Sequence, residues 1–142
     1  DSKWLCFIDS DDRVHPEYLA RLLDAAESYN AEIALCTLTA FTEDSNGYRE
    51  IDFWGKPVCG VHDGTDILFK ASLKDGQLPG HHVILWNKIY KRELLLSAIN
   101  EAELLTKEVE NFNYSEDALI NFLAHKKAKK VKNIQLKKSM MN

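Results

Sequence analysis

The sequence lacks any apolar run near the ~18 residues that a membrane-spanning helix needs; the longest is Trp4–Ile8, and runs such as Val83–Trp86 are shorter still. A transmembrane role is excluded on that ground, and the first run is too short for the core of a secretory signal. Glycine and proline are scarce, six and three among 142 residues, which excludes collagen-like and low-complexity chains. Cysteine is scarcer than a disulfide framework requires, with three in all. Cys6 and Cys36 fall in apolar, strand-like runs and Cys59 in a loop containing Pro and Gly, and no two are spaced as a CxxC or zinc pair. They read as small buried hydrophobes of a reducing compartment. The remainder is 45% hydrophobic and 28% charged, enough for one domain over residues 1–142 around one core.

Acid is missing from one end of the chain. Residues 126–142 hold seven Lys and no Asp or Glu, whereas residues 1–125 hold 11 Lys and Arg against all 22 acids. A basic tail can lie on anionic lipid or nucleic acid, but beside so acidic a body it makes a poor nucleic-acid binder. The favoured reading is the solvated end of a helix whose basic last turn suits the helix dipole, with no nucleic-acid partner.

Hydrophobic periodicity gives the elements. Trp4-Leu5-Cys6-Phe7-Ile8 reads as a strand buried on both faces, delivering Asp9-Ser10-Asp11-Asp12 at its C-terminal edge. Pro16 opens a helix with Leu19, Leu22, Leu23 and Ala26 inside and Asn30 as its stop. Glu32–Leu38 is a second strand, which makes the opening an α/β arrangement. Asn46-Gly47 predicts a hairpin turn between Ala40–Thr42 and Ile51–Trp54. Asp63 caps a helix carrying Ile67, Leu68 and Ala71, stopped by Gly76. An extended segment, His82 to Tyr90, runs into a helix over Lys91–Ile99. Ser115 caps a last helix with Leu119, Ile120, Phe122 and Leu123 inside, and Val131–Leu136 is a final strand. No internal repeat or linker divides the chain.

Asp9 and Asp11 are the sharpest chemical feature. Residues i and i+2 of an extended segment point to one face, so both carboxylates can converge on one cation. Such hard oxygen ligands suit Mg²⁺ or Mn²⁺, which keep positions for water or phosphate, and the C-terminal edge of α/β strands is where ligands usually bind. An ordinary acidic turn, with Asp12 capping the following helix, uses the same residues. An EF-hand is excluded, because its Gly and Glu positions would be Val14 and Ala20. Glu116-Asp117 opens a predicted helix, where acids are favoured by the dipole; the alternative role is a general base.

Taken together these segments resemble the family 2 glycosyltransferases, inverting enzymes of the GT-A fold. Phe7-Ile8-Asp9-Ser10-Asp11-Asp12 with Pro16-Glu17-Tyr18-Leu19 and Leu22-Leu23 is similar to the region around that family's DxD motif. Ala31 to Cys36 resembles the strand that follows there. Trp86-Asn87-Lys88-Ile89-Tyr90-Lys91-Arg92-Glu93-Leu94-Leu95 resembles a block recurring in bacterial members, and Ser115-Glu116-Asp117 resembles the acidic ED motif. Four blocks in order are far more specific than any one of them. The resemblance implies an α/β fold, a partial GT-A domain with a mixed sheet flanked by helices. It places this chain as the C-terminal part of a catalytic domain, starting at the DxD strand, with a nucleotide-binding βαβ region expected upstream. The aromatic ending common after the family's last strand is replaced by Lys137-Lys138-Ser139-Met140-Met141.

The resemblance also implies roles. Asp9 and Asp11 would hold Mn²⁺ or Mg²⁺ against the diphosphate of a nucleotide-sugar donor. Asp117 would be the catalytic base that deprotonates the hydroxyl of a glycan or lipid-linked sugar acceptor, as in polysaccharide assembly. Asp12, Trp86, Lys88 and Glu116 would contact substrate, Trp86 stacking on a sugar ring and Lys88 meeting phosphate or acceptor; core packing of Trp86 and a surface position for Lys88 are the plainer readings. His81, His82 and His125 read as partly exposed structural residues, with acceptor contact or a metal as their functional alternatives. A cytoplasmic location is expected, any peripheral membrane association falling at the inner face, while oligomeric state is open. Two other readings stand beside this one: a haloacid-dehalogenase-type phosphatase with Asp9 as nucleophile, Asp11 as acid/base and Thr37 on phosphate, and a non-catalytic interaction module.

Overall fold

The computed structural model describes residues 2–36, 40–44, 47–51, 59–72, 84–107, 109 and 116–134. Seven strands and four helices are described. In chain order they are β1 (Trp4–Cys6), α1 (Tyr18–Ser28), β2 (Ile33–Cys36), β3 (Ala40–Asp44), β4 (Gly47–Ile51) and β5 (Gly60–His62). Then follow α2 (Gly64–Ser72), β6 (Lys88–Lys91), α3 (Arg92–Thr106), α4 (Glu116–Lys127) and β7 (Val131–Ile134). Five strands form one mixed sheet in the order β1-β6-β2-β7-β5, and β3 pairs with β4 separately. β2 and β7 run parallel; β6 runs antiparallel to both β1 and β2, and β5 antiparallel to β7.

Alternation along β2 sorts the molecule into layers, because successive side chains leave a strand on opposite faces. Ile33 and Leu35 join Tyr90, Leu95, Ala98, Leu123, Ala124 and Val131 in a core under α2, α3 and α4. Ala34 and Cys36 join Ile89 and the α1 residues Tyr18, Leu22, Ala25 and Ala26 on the other side. A mixed α/β sheet covered by helices on both faces is the architecture expected from sequence.

Several elements depart from their sequence patterns. β1 ends at Cys6 and is only half-buried, with Phe7 and Ile8 exposed, since β6 is its one partner among the described strands. α1 starts at Tyr18 and turns Tyr18, Leu22, Ala25 and Ala26 inward, leaving Leu19 and Leu23 exposed. Tyr18 reaching the core rotates the buried stripe away from those two leucines. Asn30 ends that segment in the left-handed region at φ 48, which Asn tolerates better than most residues. The hairpin pairs Asp44 with Gly47, so its second arm is Gly47–Ile51; residues 52–54 of the expected arm lie outside the described residues, as do Gly76, His81, His82 and Ser115. α3 extends to Thr106, well beyond Ile99, with Leu95, Ala98 and Ala102 buried. On α4, Leu123 is buried but Phe122 is exposed, and Asn121 and His125 point inward instead. No helix among the described residues is long and apolar enough to cross a membrane.

α2 meets α4 through its first residue. Asp63 caps α2, its Oδ1 accepting from the amides of Thr65 (2.8 Å) and Asp66 (3.4 Å). The Gly64 amide donates to the Ala128 carbonyl at 3.1 Å. A Cβ on Gly64 would run into the carbonyl oxygens of His125 and Ala128. Gly64→Ala is therefore expected to destabilise the fold by about 3 kcal/mol, the upper end for overpacking against a backbone that cannot yield. A shift of the denaturation midpoint at unchanged denaturant slope is the check.

Candidate functional site

The acids fall where two elements end. β1 delivers Asp9, Asp11 and Asp12 into a turn closed by the Asp12 amide donating to the Asp9 carbonyl at 3.1 Å. All three side chains are exposed. Partial burial, with repulsion from Asp9 and then Asp11, raises the Asp12 carboxyl above its ordinary range. Glu116 and Asp117 form the first turn of α4, Glu116 exposed and Asp117 half-buried. Asp117 is also raised, first by desolvation, then by Glu116 and by Asp9. The fold thus brings together acids more than 100 positions apart: the turn after β1 and the start of α4 lie within each other's electrostatic reach.

Behind the acids is a buried polar row that the sequence reading did not assign. β6 places Lys88 and Tyr90, two residues apart, on the face covered by α4. The Tyr90 hydroxyl donates to Asn121 Oδ1 at 2.8 Å. Lys88 is fully buried, and its ammonium donates to the Ile84 carbonyl at 2.7 Å and to Asn87 Oδ1 at 2.6 Å. Asn87 is itself buried and left-handed at φ 73. It donates through Nδ2 to the Cys36 carbonyl at 2.8 Å and accepts at its own carbonyl from the Cys36 amide at 3.1 Å. One side chain therefore ties β2 to the bend before β6 and holds the Lys88 ammonium.

Burial shifts this row strongly. It lowers Lys88 to about 7, opposed by attraction to Cys36 and Asp117. Burial also lowers His125 to about 3, helped by repulsion from Lys88; His125 Nδ1 lies 2.8 Å from the Asn121 carbonyl. His125 thus enters the folded state neutral.

The residues expected to contact substrate separate. Asp12 and Glu116 stand at the acidic edge, and Trp86 is half-buried in the bend leading into β6. Lys88, expected at the surface or on phosphate, has no exposed area, because Asn87 and the Ile84 carbonyl draw its ammonium inward. His125, expected partly exposed, is fully buried beneath α4. Thr37 lies outside the described residues. Asn87, Tyr90 and Asn121 are the members that sequence reading missed. Their only signals were a Lys and a Tyr at i and i+2 of one strand and an Asn among the apolar positions of a helix.

A mixed sheet with helices on both faces is consistent with a partial GT-A-like glycosyltransferase domain. Residues 1–97 match the model of glycosyl transferase family 2, and the chain belongs to that family. EpsH of Bacillus subtilis strain 168, whose name describes it as a glycosyltransferase, is 26% identical over 124 residues. That alignment covers 87% of this chain and 32% of EpsH, so the chain spans about a third of its relative.

Proposed function

We propose that this chain forms the acceptor-side part of the active site of an inverting, divalent-cation-dependent glycosyltransferase acting on a nucleotide-diphosphate sugar. The feature that supports the reading is Asp9, in the turn after β1, lying within electrostatic reach of Asp117 at the start of α4, in a chain of this family. Asp117 is the base: it receives the proton of the acceptor hydroxyl as that oxygen attacks the anomeric carbon from the face opposite the departing phosphate. A base whose affinity for protons exceeds that of a free carboxylate accepts that proton more readily. Glu116, beside it, faces the acceptor; the half-buried Trp86 offers a ring face to a sugar.

Asp9 and Asp11 fit a divalent cation by donor chemistry, as two hard carboxylates that both act on Asp12, although they lie in a turn closed by the Asp12 amide and not in the extended segment expected. Among the described residues no three His, Cys, Asp or Glu side chains enclose a metal, so water and phosphate oxygens would complete the shell. When bound, the cation supplies charge neutralisation for the leaving diphosphate. Asp12 bounds this edge on the side of α1 and contacts the donor. The acceptor is a glycan or lipid-linked sugar, and the site is expected in the cytoplasm, any membrane association being peripheral. A haloacid-dehalogenase-type phosphatase belongs to a different family from this chain.

The test uses the full-length protein carrying this chain, incubated with a panel of uridine, guanosine and thymidine diphosphate sugars in Mn²⁺ or Mg²⁺. Turnover of one donor, its loss in EDTA and an inverted anomeric proton in the product's NMR spectrum are expected. Absence of turnover across the panel, or a retained configuration, overturns the reading.

A further inference from the structure

The strand and the helix behind the acids run in step. Two residues along a strand span about 6.6 Å, and four along a helix about 6 Å. Tyr90 on β6 is bonded to Asn121 on α4. Lys88 lies two residues before Tyr90 on the same face, and Asp117 four residues before Asn121. Both elements run away from the acidic edge, so the bond at one level sets Lys88 against Asp117 at the next.

We propose that Lys88 is a positioning residue for Asp117: a buried ammonium, clamped by Asn87 and the Ile84 carbonyl, that faces the carboxylate from β6 at a height set by the Tyr90–Asn121 hydrogen bond. The inference rests on the reading of Asp117 as base and replaces substrate contact as the role of Lys88, whose complete burial keeps it from a solvent-borne phosphate. Three carboxylates, Asp9, Glu116 and Asp117, crowd this edge, and Lys88 is a cation that opposes Asp117 from behind. The clamp matters because a lysine stem is otherwise flexible; the left-handed Asn87 fixes where its charge sits. Electrostatics agree, since Lys88 draws Asp117 downward while Glu116, Asp9 and desolvation push it up. Among the described residues, other titratable groups coupled to the pair include Cys36 from β2, His125 on α4 and Tyr90 on β6.

The experiment follows Asp117 by carboxyl ¹³C NMR in the full-length protein in EDTA, its resonance identified with Asp117→Asn. Replacing Lys88 by Met keeps the stem and removes the charge. The Asp117 midpoint should rise by about one pH unit in Lys88→Met and return toward the wild-type value in Lys88→Arg. Superimposable titrations of wild type and Lys88→Met would overturn the proposal. If Lys88→Met does not fold, Asn87→Gly serves instead: it suits the positive φ but removes the Oδ1 clamp. A smaller rise is then expected, and no rise overturns the proposal equally. A merely structural lysine would lower stability without moving the Asp117 midpoint. This readout needs no donor, so failure of the transferase reading shows separately, as a donor panel that the wild type leaves untouched.

Discussion

Asp117→Asn in the full-length protein is expected to lower kcat by about 10²- to 10⁴-fold, the usual contribution of a positioned general base, with the KM for the donor nearly unchanged. The amide is nearly isosteric and stays at the first turn of α4, so the loss isolates proton acceptance. The wild-type pH profile carries the matching sign. Desolvation, Glu116 and Asp9 hold Asp117 above the ordinary carboxylate range. Activity should therefore rise with pH through a midpoint above that range and reach a plateau once the carboxylate is ionised, and this limb should vanish in the residual activity of Asp117→Asn. Steady-state kinetics over that pH range, with the donor found in the panel, provide the check. An equal loss in Glu116→Gln, with Asp117→Asn active, would transfer the role to the neighbour.

The second large effect is expected at the end of β1. Asp11→Asn should reduce turnover by about 10²- to 10³-fold, the scale of losing one preorganised electrostatic contact at the developing charge, and raise the Mn²⁺ concentration needed for half-maximal rate. Asp9→Asn should show the same rise in metal requirement with an added signature. Asp9 is one of the charges that raise Asp117, so in EDTA its removal should lower the midpoint of the Asp117 carboxyl followed by ¹³C NMR. Lys88→Met is expected to move it the other way. The two substitutions thus bracket Asp117 from opposite signs of charge, and metal titrations alongside carboxyl titrations distinguish them. Turnover by Asp11→Asn at wild-type metal requirement would remove Asp11 from the proposed cation site.

Much of this arrangement was legible in one sequence because it follows from local pattern. The strand before Asp9, though not its length or burial, the Asp63 cap with Ile67 behind it, and the acids opening α4 need only a continuous apolar run, capping and the helix dipole. The family followed from four blocks in order rather than from any one of them. What stayed hidden depends on which face a partner covers. Leu19 and Leu23 fit a helical stripe, yet Tyr18 turned α1 by its own burial. β5 is three residues flanked by Cys59 and Asp63, too short to announce itself, and it forms because the edge of β7 is there to receive it. Phe122 looked like core and is exposed, whereas His125, expected partly exposed, and Asn121, which the sequence did not single out, are buried. The reason lies across the interface: Tyr90 presents a hydroxyl to α4, and a polar partner answers it. The burial of Lys88 stayed hidden for the same reason, since the sequence does not announce that Asn87 turns inward to hold it.

The agreement in step between β6 and α4 makes the position of Asp117 a matter of helical phase. One residue inserted between Asp117 and Asn121 would turn the carboxylate by about 100° around the helix axis while Tyr90 kept its grip on Asn121. The base would face away from β6 with every contact below it intact. Length changes before Glu116 leave that phase untouched. Chain length on the acceptor side can thus be altered ahead of α4 at no cost to the aim of the base, whereas within its first turn the count of residues is itself part of the site.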